Sequence, residues 1–284
     1  MILTAGDRQI NLSTPVCMGI LNITPDSFSD GSQLGKSSGD RFVVDLDKTL
    51  FKAERMIEEG ALILDVGGES TRPGASPVSI SEELNRVIPV LSALRSRFDI
   101  CLSVDTSTPE VMQAAIAEGA EIVNDVRALT HPNALSLIAK SNVAVSLMHM
   151  HGQPRTMQQT YTYDDVVAEV SQYLRERVAA CTSSGISLQR LIVDPGFGFG
   201  KSVTHNYQLL KNLHSIAALE LPVMVGLSRK SMIAGATNKP VGDRLAGSVA
   251  ATSYALLGGA NIIRTHDVAA TIDAIRVHSV FSNA

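Results

Sequence analysis

A chain of 284 residues, 45% hydrophobic and 18% charged, has the composition of a globular protein rather than a disordered or fibrous one. Its length suits one large core. A formal net charge of −4 with no dense Lys/Arg cluster speaks against nucleic acid as a partner, because phosphate-backbone binding needs a basic footprint.

In chain order, residues Met1–Leu12 carry Asp7, Arg8 and Gln9 in place of the apolar core of a signal peptide. The apolar run Val16–Leu21 stops at Asn22, and a long polar connection, Ile23–Asp45, follows. Gly60 ends a helix, and the run Ala61–Leu64 stops at Asp65. The connection Gly67–Ser79 leads to a capping box, Ser79 with Glu82, for a helix over Ser81–Arg97 that Pro89 should kink. Ile100–Val104 stops at Asp105, after which Thr108 as N-cap and Pro109 as first helical residue open a helix that Gly119 terminates. Glu121–Val123 stops at Asn124 and Val143–Met148 at His149, with the connection Met150–Tyr163 beyond. Gly185 ends the next helix, Leu191–Val193 stops at Asp194, and Pro195–Thr204 connects onward. Val223–Leu227 stops at Ser228, Asn261–Ile263 stops at Arg264, and Asp267 is placed to cap the last helix.

Continuous Val/Ile/Leu runs are what parallel strands buried on both faces require. Eight of them alternating with helical stretches predict an α/β fold, a (β/α)8 TIM barrel, as a single domain over 1–284, with the active site at the C-terminal ends of the strands. The four long connections all follow strand C-termini, where such loops act as lids or binding loops. No stretch reaches the ~18 apolar residues of a membrane helix. Cys17, Cys101 and Cys181 show no metal or redox spacing, so a cytoplasmic protein with buried thiols and no membrane partner is expected.

Two groups of strand ends carry chemistry. Ser228-Arg229-Lys230-Ser231 and Arg264-Thr265-His266 follow the seventh and eighth runs. Barrels often build a phosphate site there with a helix N-terminus, and surface basics with no role would be scattered instead. On the opposite side Asp105, Asn124 and Asp194, with Lys230 near enough to neutralise a carboxylate, suit a flat heterocycle bearing several N–H groups, although a lone strand-end Asp is often only an N-cap.

The strings Met18-Gly-Ile-Leu-Asn22-Ile-Thr-Pro-Asp-Ser-Phe-Ser-Asp-Gly31 and Asp65-Val-Gly-Gly-Glu-Ser-Thr-Arg-Pro-Gly74 resemble the two signatures of the dihydropteroate synthase family, within the pterin-binding barrel superfamily. The resemblance continues through Ser103-Val-Asp105, Asn124-Asp-Val, Leu147-Met-His149-Met, Asp194-Pro-Gly-Phe-Gly-Phe-Gly200-Lys, Gly226-Leu-Ser-Arg-Lys-Ser231 and Arg264-Thr-His266-Asp, in order and over essentially the whole chain. It implies a transferase of folate biosynthesis. The reaction joins 6-hydroxymethyl-7,8-dihydropterin diphosphate to 4-aminobenzoate with Mg2+, releasing diphosphate along an SN1-like path.

The resemblance also implies roles. Asp105, Asn124, Asp194 and Lys230 hold the pterin, and Met148 packs on its ring. Asn22, Arg264 and His266 hold diphosphate, with Asn22 also touching the metal. Asp30, Arg264 and His266 act in catalysis. Phe28, Thr71, Arg72, Pro73 and Ser231 form the 4-aminobenzoate site, near Gly198 and Phe199, which sulfonamides compete for in this family. A homodimer is implied as well, for which the apolar helix Leu245–Leu257 could serve. The sequence departs from the family at Ser32, where Gly is common, in a longer Ser32–Asp45 stretch, and at His151, where Gln is frequent.

Other readings are weaker. His149 and His151 share one strand face but lack a third zinc ligand. Gly196–Lys201 lacks the spacing of a nucleotide-binding phosphate loop. A corrinoid-dependent methyltransferase of the same superfamily would share the pterin-holding residues without needing Arg264, His266 or the Thr71-Arg72-Pro73 loop. A non-catalytic pterin-binding barrel should have lost anion-site residues that are all present here.

Overall fold

The computed structural model describes residues 1–25, 34–38, 41–70, 78–152 and 162–284. It begins with an antiparallel hairpin, β1 (Ile2–Ala5) and β2 (Arg8–Asn11). Strand β3 (Val16–Asn22) follows, then a second hairpin, β4 (Gly35–Ser38) with β5 (Arg41–Val44), and helix α1 (Leu46–Glu58). The chain continues through β6 (Ile63–Gly67), α2 (Ile80–Arg97), β7 (Cys101–Asp105), α3 (Pro109–Ala117), β8 (Ile122–Asp125), α4 (Ala134–Ala139), β9 (Ala144–Met148) and α5 (Val166–Ser183). It ends with β10 (Leu191–Asp194), α6 (Val203–Lys211), α7 (His214–Ala217), β11 (Met224–Gly226), α8 (Ser231–Thr237), α9 (Leu245–Leu257), β12 (Ile262–Thr265) and α10 (Val268–Ser282).

Eight of these strands form one parallel sheet in the order β10-β9-β8-β7-β6-β3-β12-β11, and a parallel bridge between Val193 and Val223 joins its two ends into a barrel. The (β/α)8 TIM barrel expected from the apolar runs is the architecture observed. Strand limits differ from the expected runs by up to three residues, the largest difference being at the end of β6, which runs on to Gly67. Glu121, for example, lies before β8, and its carboxylate accepts from Arg8 Nε at 2.7 Å and Arg95 Nη2 at 2.8 Å.

The first hairpin was not expected. Its strands have four residues each, too short and too mixed for a period to be visible. Leu3, Ala5 and Ile10, with Leu12 just beyond, join Val16, Met18, Ile63, Cys101, Ile122, Ala144, Ile192, Met224 and Ile262 in one buried cluster. The hairpin therefore plugs the N-terminal end of the barrel. Closing that end with apolar side chains leaves the opposite mouth for chemistry.

Ser79 caps α2, accepting from Glu82 N at 3.2 Å, but the other half of the expected capping box is replaced: the Glu82 carboxylate accepts from Phe42 N at 3.1 Å and Arg86 Nε at 3.0 Å. The other two caps behave differently. Thr108 starts α3 by position but gives its hydroxyl to Glu83 Oε2 at 3.1 Å, because that buried carboxylate lies nearby. Asp267 starts α10, yet its carboxylate receives the Arg229 guanidinium in place of helix N–H groups.

Candidate active site

Side chains on a strand alternate between faces, so every second residue of a barrel strand points inward. Above the apolar plug the inward positions turn polar: Asp65 on β6, Ser103 and Asp105 on β7, Asn124 on β8, Asp194 on β10 and Arg264 on β12. Asp65 is the hub of this layer. Fully buried, it accepts from Ser103 Oγ at 2.6 Å, Asn124 Nδ2 at 3.0 Å and Arg264 Nε at 2.6 Å. Arg264 reaches across and donates from Nη2 to Asp105 Oδ2 at 2.6 Å. Asp65 thus orients Asn124 and Arg264 at once. It was read from the sequence only as a strand end, since its partners come from strands far along the chain.

Burial pushes the Asp105 carboxyl above its usual range, with Arg264 opposing the shift and Asp65 reinforcing it. Burial pulls the Arg264 guanidinium down, but Asp65 and Asp105 outweigh it and hold Arg264 firmly charged.

Asp194 is likewise buried, and burial raises its carboxyl against the pull of Lys230. Its Oδ1 accepts from Gly196 N at 2.7 Å, which turns the chain sharply after β10. Gly196 has a φ of +68°, and a Cβ there would lie 1.9 Å from the carbonyl oxygen of His149. The following loop is held from below by buried Lys201, whose Nζ donates to the carbonyls of Gly196 at 2.9 Å and Phe199 at 3.1 Å and sits 3.0 Å from His149 Nδ1. Asn206 fixes the same loop by accepting from Gly198 N at 2.7 Å. So supported, the loop offers the Phe197 carbonyl to Lys230 Nζ at 2.6 Å, with the Phe199 ring 4.9 Å from that ammonium. Burial lowers Lys230 to about 8, with Asp194 opposing the shift. Met148 closes β9 beside Asp194, its register partner.

On the β3–β12 side of the mouth, Asn22 Nδ2 lies 3.5 Å from His266 Nε2, and His266 Nδ1 lies 3.1 Å from Ser228 Oγ. Ser231 is the first residue of α8. Arg229, counted from the sequence among the cations of an anion site, instead pairs through Nε with Asp267 Oδ2 at 3.0 Å, and its backbone oxygen accepts from Arg244 at 2.9 Å. Its task is to bind the loop after β11 to the start of α10. A cavity of 530 Å3 runs along α1 past Leu34, Phe51 and Met56 and meets the barrel mouth at His266. Phe28, Asp30, Thr71, Arg72 and Pro73 lie outside the described residues.

His149, weighed above as half of a metal pair, is buried against Lys201 and the Tyr173 ring, whose centroid is 5.0 Å away. Burial, then the positive charge of Lys201, lower its pKa to about 2. Among the described residues no three His, Cys, Asp or Glu side chains are grouped to hold a metal. Lys201 and Asn206, which support the glycine loop, were also missed. A lysine after a glycine-rich string reads as surface charge until the fold buries it.

The geometry can be set beside known proteins. The family model described as pterin binding enzyme matches residues 18–266. The chain is 51% identical to the dihydropteroate synthase of Haemophilus influenzae over 284 residues, covering 100% of both chains. Among solved structures it is similar to the Yersinia pestis dihydropteroate synthase in a sulfonamide drug complex, with a TM-score of 0.94, 46% identity and 100% of both chains covered. It is also similar to the Xanthomonas albilineans dihydropteroate synthase with 4-aminobenzoic acid, with a TM-score of 0.90, 46% identity and 100% and 98% of the chains covered. The polar layer around Asp65, the glycine loop on Lys201 and these end-to-end likenesses agree: the chain belongs to the dihydropteroate synthase family of pterin-binding enzymes.

Proposed function

We propose that this chain joins 6-hydroxymethyl-7,8-dihydropterin diphosphate to 4-aminobenzoate, giving 7,8-dihydropteroate and diphosphate. The observation that carries the reading is the convergence of Asp105, Asn124, Asp194 and Arg264 in one barrel mouth, tied by shared hydrogen bonds and charge. Carboxylates only accept, so Asp105 and Asp194 suit the N–H groups of the pterin edge, while Asn124 can both give and accept. Lys230 supports the charge on Asp194 and faces the same pocket. Met148 would pack on the ring.

The step breaks the C–O bond between the pterin methylene and diphosphate and forms a C–N bond to the arylamine, which then loses a proton. Positive charge spreads into the electron-rich ring, and negative charge grows on the leaving group. His266, beside Asn22, and Arg264 stabilise that negative charge electrostatically. Two of the five guanidinium N–H groups of Arg264 are committed to Asp65 and Asp105, so Arg264 arrives rigidly aimed. Asp30 is assigned to stabilise the cation, and Phe28, Thr71, Arg72, Pro73 and Ser231 to hold 4-aminobenzoate, the carboxylate at the start of α8.

The donor set fits Mg2+ modestly. The amide oxygen of Asn22 is a hard ligand, and Mg2+ commonly keeps several waters and takes its remaining ligands from phosphates rather than from a protein cage. When bound it would offset the charge of the departing diphosphate. We further propose a homodimer, supported by exposed Tyr254 and Leu257 on α9 and Val277, Val280 and Phe281 on the adjacent α10. We also propose a reducing cytoplasmic setting, which three free cysteines suit.

The test is diphosphate release in a coupled assay. Release that requires 4-aminobenzoate and falls by at least about a hundredfold in Arg264→Ala is expected. Release independent of 4-aminobenzoate, or an unchanged rate in the variant, would overturn the reading and reopen a methyl-transfer role for the same pocket.

A further inference from the structure

Among the described residues, the barrel interior holds a buried polar atom that the site as described leaves unused. Ser146 sits in the middle of β9, and its register partner on β8 is Asn124. The flanking residues Val145 and Leu147 pack in the outer cluster between strands and helices, while Ala144, two residues below, belongs to the plug. Alternation therefore points Ser146 into the barrel, directly above the plug and beside Asn124. The residue is fully buried, and its Oγ has no hydrogen-bond partner among the described residues. Ser103, an interior serine on β7, shows the contrast: its hydroxyl is engaged by Asp65 at 2.6 Å. Buried hydroxyls are rarely left unmatched, because the desolvation cost is then uncompensated.

The surroundings say what would match it. Asp105 and Asp194 can only accept, and Asn124 already gives one N–H to Asp65. A bicyclic ring with an amide-like edge presents acceptors, its ring nitrogens and carbonyl oxygen, as well as N–H groups. On the arc from Asn124 to Asp194, strand β9 lies between β8 and β10 and contributes Ser146 there. We propose that Ser146 is a positioning and specificity residue for the pterin, its hydroxyl bonding an acceptor on the ring edge between Asn124 and Asp194, directly or through one bridging water. This rests on the pterin occupying the pocket as proposed above. It also implies discrimination: a ring of the same size with an N–H group in place of that acceptor should gain less from the serine, although a hydroxyl can turn to accept.

The test is a calorimetric titration of the pterin diphosphate into wild type, Ser146→Ala and Asp194→Asn, with steady-state kinetics in parallel. Ser146→Ala is expected to weaken pterin binding about tenfold, the range of one lost hydrogen bond. Its thermal midpoint should hold or rise, because an unmatched hydroxyl has been removed, and KM for 4-aminobenzoate should be unchanged at saturating pterin. A purely structural role would lower the midpoint and leave the affinity alone. If Asp194→Asn loses affinity while Ser146→Ala stays within about twofold of wild type, the serine assignment falls by itself. If both variants bind as wild type does, the ring does not lie on this floor, and the site reading falls with it.

Discussion

Replacing Asp65 tests whether the polar layer is organised by one buried carboxylate. Asp65→Ala deletes three acceptor contacts, from Ser103 Oγ, Asn124 Nδ2 and Arg264 Nε. All three bonds end on the charged Asp65 carboxylate and are charge-assisted, about 1.5–3 kcal/mol each, but removing the carboxylate also removes the cost of burying its charge. Arg264 keeps Asp105 as a partner, so the full cost of an orphaned buried charge, about 3–5 kcal/mol, is an upper bound. We expect a loss of about 3–4 kcal/mol in urea unfolding. Asp65→Asn keeps the shape and one acceptor but not the charge, and should lose about half as much. Activity should suffer in both variants, because Arg264 and Asn124 lose their orientation although neither has been mutated. In Asp65→Asn the carboxyl of Asp105 should also titrate lower, since the negative charge of Asp65 is one of the causes that hold it up. An Asp65→Ala protein within about 1 kcal/mol of wild type, with unaltered pterin affinity, would refute this reasoning.

Two other perturbations address the supporting structure. Gly196→Ala should abolish pterin binding and cost at least about 2 kcal/mol, because the added Cβ meets the His149 carbonyl in a left-handed turn; calorimetry and thermal unfolding check it, and a wild-type affinity would contradict it. His149, pulled by burial and Lys201 to about 2, refuses a proton that the unfolded chain accepts near its ordinary value. Below about pH 6.5 the unfolded state binds more protons, so stability falls with acid by about 1.4 kcal/mol per pH unit from this residue, continuing toward the folded value. His149→Gln should flatten that acid limb by one proton; parallel stability curves for the two proteins would count against it.

The barrel was legible because a parallel strand buried on both faces has to be written as an unbroken apolar run, and the residue that ends each run marks the mouth. The sequence alone therefore places Asp105, Asn124, Asp194 and Arg264 at one rim. What could not be read were pairings that closure of the barrel creates. Asp65 and Arg264 are separated by 199 positions in the chain and meet only because β12 lies next to β3, which pairs with β6. Thr108 and Asp267 looked like helix caps by local rules, but a tertiary partner, Glu83 or Arg229, outcompeted the helix N–H groups. The N-terminal plug escaped because its apolar residues, Leu3, Ala5, Ile10 and Leu12, are divided between two strands of four residues and the segment after them, and share a surface only once the hairpin folds.

The central claim is that one pocket grips the pterin edge while its neighbours draw away the diphosphate. A crystal structure with 6-hydroxymethylpterin and diphosphate bound tests it most directly. The ring is expected within hydrogen-bonding distance of Asp105, Asn124 and Asp194, and diphosphate beside Asn22, Arg264 and His266. A ring bound elsewhere, for instance in the cavity along α1, or a diphosphate out of reach of both Arg264 and His266, would contradict it.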